Sequence, residues 1–270
     1  MPSSIQILSD LHLENPPAYD VFDVTPVAPH LALIGDIGDA EDDRLYAFLR
    51  RQLEQFQMVF FLLGNHEPYH STWSAAFLRL RQFEKTIQDE RCSTKGLGAF
   101  VLLDKTRYDL SPTITILGCT LYSNVAADQH AHVRLSKDFY QIKSWTVEAH
   151  TAAHAENLAW LNASVSAIAK AEPERQVIIL THYSPTSDTR SIDPRHANSK
   201  NSSGFLTDLS GENCWNCPNV RAWAYGHTHF NCDFTDENAK IRVLSNQRGY
   251  SSSPAGGFDP QKVLTVDDTQ

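Results

Sequence analysis

The chain lacks several things, and each absence narrows what it can be. No apolar run approaches the roughly 20 residues of a membrane-spanning helix, so no transmembrane segment is expected. The N-terminus, MPSSIQILSDLHLE, has no basic region and meets acid and histidine within a few residues, so no signal peptide is read there. The five cysteines, at 92, 119, 214, 217 and 232, are an odd number with no disulfide-like framework. They read as free thiols in a reducing compartment, and a soluble cytoplasmic protein is expected. Basic excess is missing too. A formal net charge of -9 argues against stable binding to nucleic acid or anionic membrane. An anionic substrate stays open, because bound divalent cations reverse the local potential. With no internal repeat and no clear linker, residues 1–270 read as one domain.

What is present is alternation. Short apolar runs at 5–9, 30–35, 58–64, 100–104, 113–122, 176–181, 220–226, 241–245 and 262–266 have strand character. Most are nearly continuous, as expected for strands covered on both faces. Helical patterns lie between them. Leu45, Phe48, Leu49, Leu53 and Phe56 follow an acidic start at 41–43, residues 71–90 carry a Phe77, Leu80, Phe83 stripe, and 147–171 places Leu158, Leu161, Val165 and Ile168 in register. The pattern predicts an α/β protein. Residues 183–219, rich in Ser, Asn, Asp and Pro, read as a long surface excursion of the kind that often carries function.

Five of the apolar runs end alike. They stop on Asp10-Leu11-His12, on Asp36 with Asp39 three further on, on Asn65-His66-Glu67, on His182, and on His227-Thr228-His229. Each ending puts a metal-competent group at the carboxyl end of a core strand, the edge where open α/β sheets bind ligands. If the backbone stays extended, residues i and i+2 share a face, so Asp10 with His12 and His227 with His229 would each aim as a pair. Glycines before Asp36, Asn65 and His227 would permit a sharp exit and close backbone approach. A lone histidine or aspartate at a strand end is ordinarily a hydrogen-bonded or turn-forming residue. Five coincident endings exceed what turn chemistry explains. Two Asp, an Asn and four His make a mixed oxygen and nitrogen donor set without thiolate. It suits Mn, Fe, Zn or Mg rather than a structural zinc cage. Seven donors exceed the usual complement of one ion, whereas two divalent ions sharing a carboxylate would use them all.

These motifs, D-x-H, GD-x-x-D, GNHE, a strand-end His and GHTH, in this order across residues 10 to 229, resemble the calcineurin-like metallophosphoesterases. The resemblance implies a four-layer αββα sandwich with two central mixed β-sheets. It implies that Asp10, His12, Asp36 and His229 hold one metal, and that Asp36, Asn65, His182 and His227 hold the other. His66 matches the family's histidine that meets the substrate or leaving group, and Asp39 matches the carboxylate that pairs with it. The implied reaction is hydrolysis of a phosphate ester by attack of a metal-bridging hydroxide, with charge on the departing oxygen stabilised by the metals and His66.

The departures from the family pattern narrow the branch. Protein phosphatases of this family carry Arg-Gly after the second motif and an Arg after GNHE. Here Ala40-Glu41 and Pro68-Tyr69-His70 stand in those places. The family's nucleases add DNA-binding regions, which a short acidic chain without a basic stripe does not suggest. The reading is a small phosphate ester as substrate, with a diester slightly favoured. A phosphomonoesterase is the alternative, and a non-catalytic scaffold is disfavoured because every motif is retained. TLYSN (120–124) and SNQRGY (245–250) resemble small members of the branch that begins SDLHLE. They offer Thr120, Tyr122, Asn124 and Arg248 as candidate substrate contacts, weighed against strand-end and surface ion-pair roles. Cys214-x-x-Cys217 falls short of four zinc ligands and reads as a loop with free thiols. His150 and His154, at i and i+4, read as a solvated or capping pair on one helix face.

Overall fold

In the computed structural model, which describes residues 3–267, the apolar runs become strands of two large mixed sheets. The strands are β1 (Ser3–Leu8), β2 (His30–Ile34), β3 (Met58–Leu62), β4 (Ala99–Leu102), β5 (Thr106–Asp109), β6 (Ile114–Cys119), β7 (Gln176–Thr181), β8 (Val220–Tyr225), β9 (Cys232–Thr235), β10 (Arg242–Ser245), a short pair β11 (Gly249–Tyr250) and β12 (Ser253–Pro254), and β13 (Val263–Val266). One sheet has the order β13-β1-β2-β3-β4, and the other β5-β6-β7-β8-β10-β9. Strands β1 to β4 run parallel, as do β6, β7, β8 and β10, while β13, β5 and β9 are antiparallel to their neighbours.

Helices are α1 (Asp43–Leu53), α2 (Trp73–Arg91), α3 (His130–Val133), α4 (Asp138–Gln141), α5 (Val147–Ala171) and α6 (Asn213–Asn216). The first begins where its sequence says it should. Asp42 accepts from the Arg44 N–H, Asp43 lies in the first turn, and Arg50 and Arg51 lie in the last. Thr72 and Thr146 cap α2 and α5 in the same way, through the N–H groups of Ala75 and Ala149.

The period of two along each strand sorts its residues between two interfaces. Ile5, Ile7, Ala32, Ile34, Phe60 and Leu62 of the first sheet form one cluster with Ile114, Ile116, Ile178, Leu180, Ala222 and Ala224 of the second. Intervening residues such as Leu31, Leu33, Val59, Phe61, Val177 and Ile179 belong with the helices' Phe48, Leu49, Leu80, Leu161 and Val165. Helices α1 and α2 pack on β3 and β4, and α5 and α6 on β6 and β8. The result is the four-layer αββα sandwich. Each fully covered Val, Leu, Ile or Phe of a strand contributes about 1.5–3 kcal/mol of burial. The sheets are therefore a stiff platform for whatever hangs from their ends.

Some expectations need correction. Strand character was read through 122, yet β6 stops at Cys119, and Leu121 and Tyr122 adopt positive φ. His150 and His154 are not solvated: both are buried on the inner face of α5. Cys214 and Cys217 are free thiols as read, but buried in the core rather than loose in a loop. No helix among the described residues is long and apolar enough to cross a membrane.

Candidate metal centre

Five strand ends of the two sheets meet at one edge. Asp10 and His12 follow β1, Asp36 follows β2, Asn65 and His66 follow β3, His182 follows β7, and His227 and His229 follow β8. The pairing of Asp10 with His12 and of His227 with His229 does not come from extended backbone. Asp10, His12, Asp36, His227 and His229 all take positive φ, between 47° and 72°. Each strand ends first, and left-handed turns then aim the side chains. Asp and His are tolerated there better than most residues, though at some cost in strain. Gly35, at φ 92°, makes the turn that brings Asp36 round.

The donors converge. Asp10, His12 and His229 offer ligand atoms within 4.8 Å of one another, as do Asp36, His182 and His227, and also His12, Asp36 and His66. His12 Nε2 lies 3.0 Å from His229 Nε2, and His229 Nε2 lies 3.3 Å from Asp10 Oδ1. On the other side, His182 Nε2 lies 3.1 Å from Asn65 Oδ1 and 3.4 Å from Asp36 Oδ1. The His182 Nδ1–H donates to the Ile34 carbonyl at 3.0 Å, which leaves Nε2 facing the other candidate donors. The chemistry of this donor set fits divalent cations. Imidazole nitrogens and carboxylate oxygens crowd at distances a cation would relieve, and almost all are buried.

Electrostatics say the same. Burial pushes the Asp10 carboxyl upward, but the hydrogen bond and charge from His229, with the charge of His182, hold it below the ordinary range. Asp36 is held well below it, against burial, by His182, His66 and His12. Conversely, His182 and His66 are each raised to about 9: burial would lower them, but Asp36 outweighs it together with Asp10 and Glu67 at His182, and together with Glu14 and Asp138 at His66. His227 is pushed well down by burial and by His182. The buried carboxylates draw in positive charge, and without a cation they draw it from protons on histidine.

Two backbone staples hold the loops. The buried Glu67 carboxylate accepts from the N–H groups of Gly64 (2.7 Å), Ile37 (2.8 Å), Asp36 (3.1 Å) and Gly38 (3.4 Å), so it ties the second motif to the third. Asp10 accepts from the His227 N–H at 3.0 Å, which ties the first motif to the last.

The partner of His66 is a correction. Asp39 does not pair with it; its Oδ1 accepts from the Glu41 N–H instead. Glu14 takes the position, with Oε1 at 2.8 Å from His66 Nδ1 and 3.2 Å from His12 Nδ1. Burial would raise Glu14, but those two hydrogen bonds together with the charges of His66 and His12 bring it down to about 2. Tyr250 was also unassigned. Its hydroxyl meets His66 Nε2 at 3.0 Å, and its ring stacks on His12 at 4.1 Å. Both lie within motifs already noticed, as the final residues of SDLHLE and SNQRGY, and a carboxylate two positions after His12 was a usable signal.

The candidate substrate contacts are placed differently from the donors. Thr120 is buried and its hydroxyl donates to the Leu63 carbonyl at 2.9 Å. Tyr122 is buried among Trp73, Trp145, His150 and Tyr183. Asn124 is exposed, and its N–H donates to Thr207 Oγ1. Arg248 donates to the Leu11 carbonyl at 2.9 Å and lies over the Phe22 ring.

Two stacked mixed sheets that send carboxylate, imidazole and amide groups from five strand ends to one edge describe a metal-dependent phosphoesterase. The chain belongs to the calcineurin-like phosphoesterase family, whose model matches residues 4–231. It is 28% identical over 251 residues to an uncharacterized protein, L509, of Acanthamoeba polyphaga mimivirus, covering 88% of this chain and 84% of that one. Among solved structures it resembles the phosphopantetheinyl hydrolase PptH of Mycobacterium tuberculosis, with a TM-score of 0.67, 14% identity, and coverage of 99% of this chain and 97% of that chain. It also resembles a dimetal phosphatase of Danio rerio, with a TM-score of 0.58, 13% identity and full coverage of both chains (100% each). At these identities the two structures speak to the fold.

Proposed function

We propose that this protein is a binuclear phosphoesterase acting on a small phosphate ester, with a diester favoured over a monoester. The observation that carries the reading is the position of Asp36. Its Oδ1 faces His182 Nε2 at 3.4 Å and its Oδ2 faces His12 Nε2 at 3.8 Å, so its two oxygens look into two donor sets. On this reading Asp10, His12, Asp36 and His229 hold one cation, and Asp36, Asn65, His182 and His227 hold the other. Mn, Fe, Zn or Mg would suit the set. Two such cations supply the Lewis acidity that activates water and neutralises phosphoryl charge.

The protein's own groups do the rest. In the metal-free site His66 is raised to about 9, against burial, by Asp36, Glu14 and Asp138, and so carries a proton at neutral pH there. Its Nε2 lies 3.9 Å from Asp36 Oδ2, so it can hand that proton to a leaving oxygen beside the cations. Glu14 holds the ring at Nδ1 and balances its charge. The preference for a diester rests on Ala40-Glu41 and Pro68-Tyr69-His70, which replace phosphate-gripping arginines. A diester monoanion needs less positive charge than a monoester dianion. The net charge of -9 supports a small substrate over a polyanionic partner or an anionic membrane.

The test is hydrolysis of bis-p-nitrophenyl phosphate against p-nitrophenyl phosphate with added Mn. Metal-stimulated turnover of the diester is expected. Monoester activity alone would move the reading to phosphomonoesterase, and no turnover of either with any divalent ion would remove it. His66→Ala should keep its metal and lose more activity on poor leaving groups than on good ones. Equal losses would mean that His66 only positions the substrate.

A further inference from the structure

Asp138, on α4, touches the centre without belonging to either donor set. Its Oδ1 accepts from Asn65 Nδ2 at 2.9 Å and from the Tyr69 hydroxyl at 2.7 Å. Asn65 Nδ2 also lies 3.4 Å from the Tyr69 oxygen, which closes a triangle. Tyr69 is itself fixed, stacked on His66 at 4.2 Å. The segment that carries Asp138 is sewn to the third motif by two backbone bonds, His70 N–H to the Gln141 carbonyl and Lys143 N–H to the Ser71 carbonyl, each 2.8 Å.

An asparagine amide has two ends of nearly equal shape, and only the oxygen can bind a cation. Rotation about its last torsion exchanges them, and that torsion is broad and nearly two-fold. Something must therefore choose the end that faces the centre. Asp138 Oδ1 already receives the Tyr69 hydroxyl at 2.7 Å, so it is an acceptor at this position whichever way the Asn65 amide lies. A flipped Asn65 would set its oxygen against that acceptor and turn its NH₂ group toward His182. The unflipped amide gives NH₂ to Asp138 and keeps Oδ1 3.1 Å from His182 Nε2.

We infer that Asp138 is a positioning residue that locks the Asn65 amide with its oxygen toward the second cation subsite. The inference rests on reading Asn65 as a donor. It also makes a one-turn helix in the 120–145 region part of the scaffold of the centre, so movement of that helix would be felt by one cation and not the other.

The test is titration of the metal-free full chain with Mn by calorimetry, with metal content measured independently after gel filtration. Wild type should take up two ions. Asp138→Ala should weaken one of them by ~10–100-fold, the usual effect of losing a group that orients a ligand, and leave the other unchanged. Asp138→Asn, which keeps an acceptor oxygen, should recover most of the lost affinity. Tyr69→Phe removes one of the two donors and should weaken the same ion by a smaller factor. It carries the test if Asp138→Ala does not fold. Two ions bound by Asp138→Ala as in wild type, or equal losses in Asp138→Ala and Asp138→Asn, would overturn the inference alone. So would an unchanged Tyr69→Phe where Asp138→Ala does not fold. Fewer than two ions in wild type would overturn the two-cation reading, and the inference with it.

Discussion

Glu14 Oε1 lies 2.8 Å from His66 Nδ1. One short bond thus links the loop after β1 to the loop after β3, and the same oxygen reaches His12 Nδ1 at 3.2 Å. The two imidazoles are consequently oriented by a single carboxylate at Nδ1, which leaves His12 Nε2 to meet His229 Nε2 and His66 Nε2 to meet the Tyr250 hydroxyl, each at 3.0 Å.

That arrangement separates Glu14 from Asp39. Glu14→Ala should cost ~10–100-fold in kcat/KM on bis-p-nitrophenyl phosphate, because an orienting partner of two site histidines is lost. Asp39→Ala removes only a local bond to the Glu41 N–H and should cost less than about threefold. Steady-state kinetics on the two variants decide the matter. A larger loss in Asp39→Ala would return the pairing role to the residue the family pattern assigns.

The five strand endings were legible because a core strand covered on both faces is a continuous apolar run, and a polar residue that ends it stands out. The left-handed turns that aim the donors were not legible. They depend on contacts such as the bond from the His227 N–H to Asp10, 217 residues away. Edge strands β5 and β9 escaped notice for a related reason. TRYD and CDFT alternate between half-buried and exposed positions and form no apolar run. Glu14 lies only two positions from His12, but its bond to His66 spans 52 positions, and the bonds of Tyr250 to His66 and of Asp138 to Asn65 span 184 and 73. Spacing carries no trace of a contact made by folding.

Gly64 was read as a residue that permits close approach, and the structure says to what. A Cβ there would stand 2.2 Å from Asp36 Oδ1, 2.6 Å from the Asp36 nitrogen and 2.6 Å from His182 Cε1. Those atoms are buried and tethered, so they cannot withdraw cheaply. Gly64→Ala should destabilise the fold by about 1–3 kcal/mol, the usual cost of overpacking, and displace Asp36 and His182 from the centre. Wild type should gain ~2.7 kcal/mol from a cation at a hundred times its Kd, visible as a higher melting temperature with Mn than with chelator. The variant should lose most of that gain. Thermal melts of both proteins, with Mn and with chelator, test this, and an undiminished gain in Gly64→Ala would refute it.

His150 gives a pH dependence that needs no metal. It is buried on α5, and its Nε2 accepts from the Ser123 N–H at 3.0 Å, so the ring is neutral. Burial, and secondarily the charge of His154, bring its pKa down from 6.5 to about 3. The unfolded chain, with an ordinary histidine, therefore binds a proton that the folded chain refuses between those two values. Stability from this group is complete above pH 6.5 and declines as pH falls toward 3. Between pH 7 and pH 5 the loss is about 2 kcal/mol, from 1.36 kcal/mol for each pH unit below the unfolded value. His150→Gln cannot titrate, and its amide can still accept from Ser123. Urea unfolding of the metal-free proteins at both pH values should show wild type losing about 2 kcal/mol more than the variant. Titrating groups remote from His150 are common to the two proteins and cancel in the comparison, and His154, whose charge is only the second cause of the shift, makes a smaller difference. Equal losses would mean that folded His150 takes up its proton as readily as the unfolded chain does, and that the Ser123 contact does not hold it neutral.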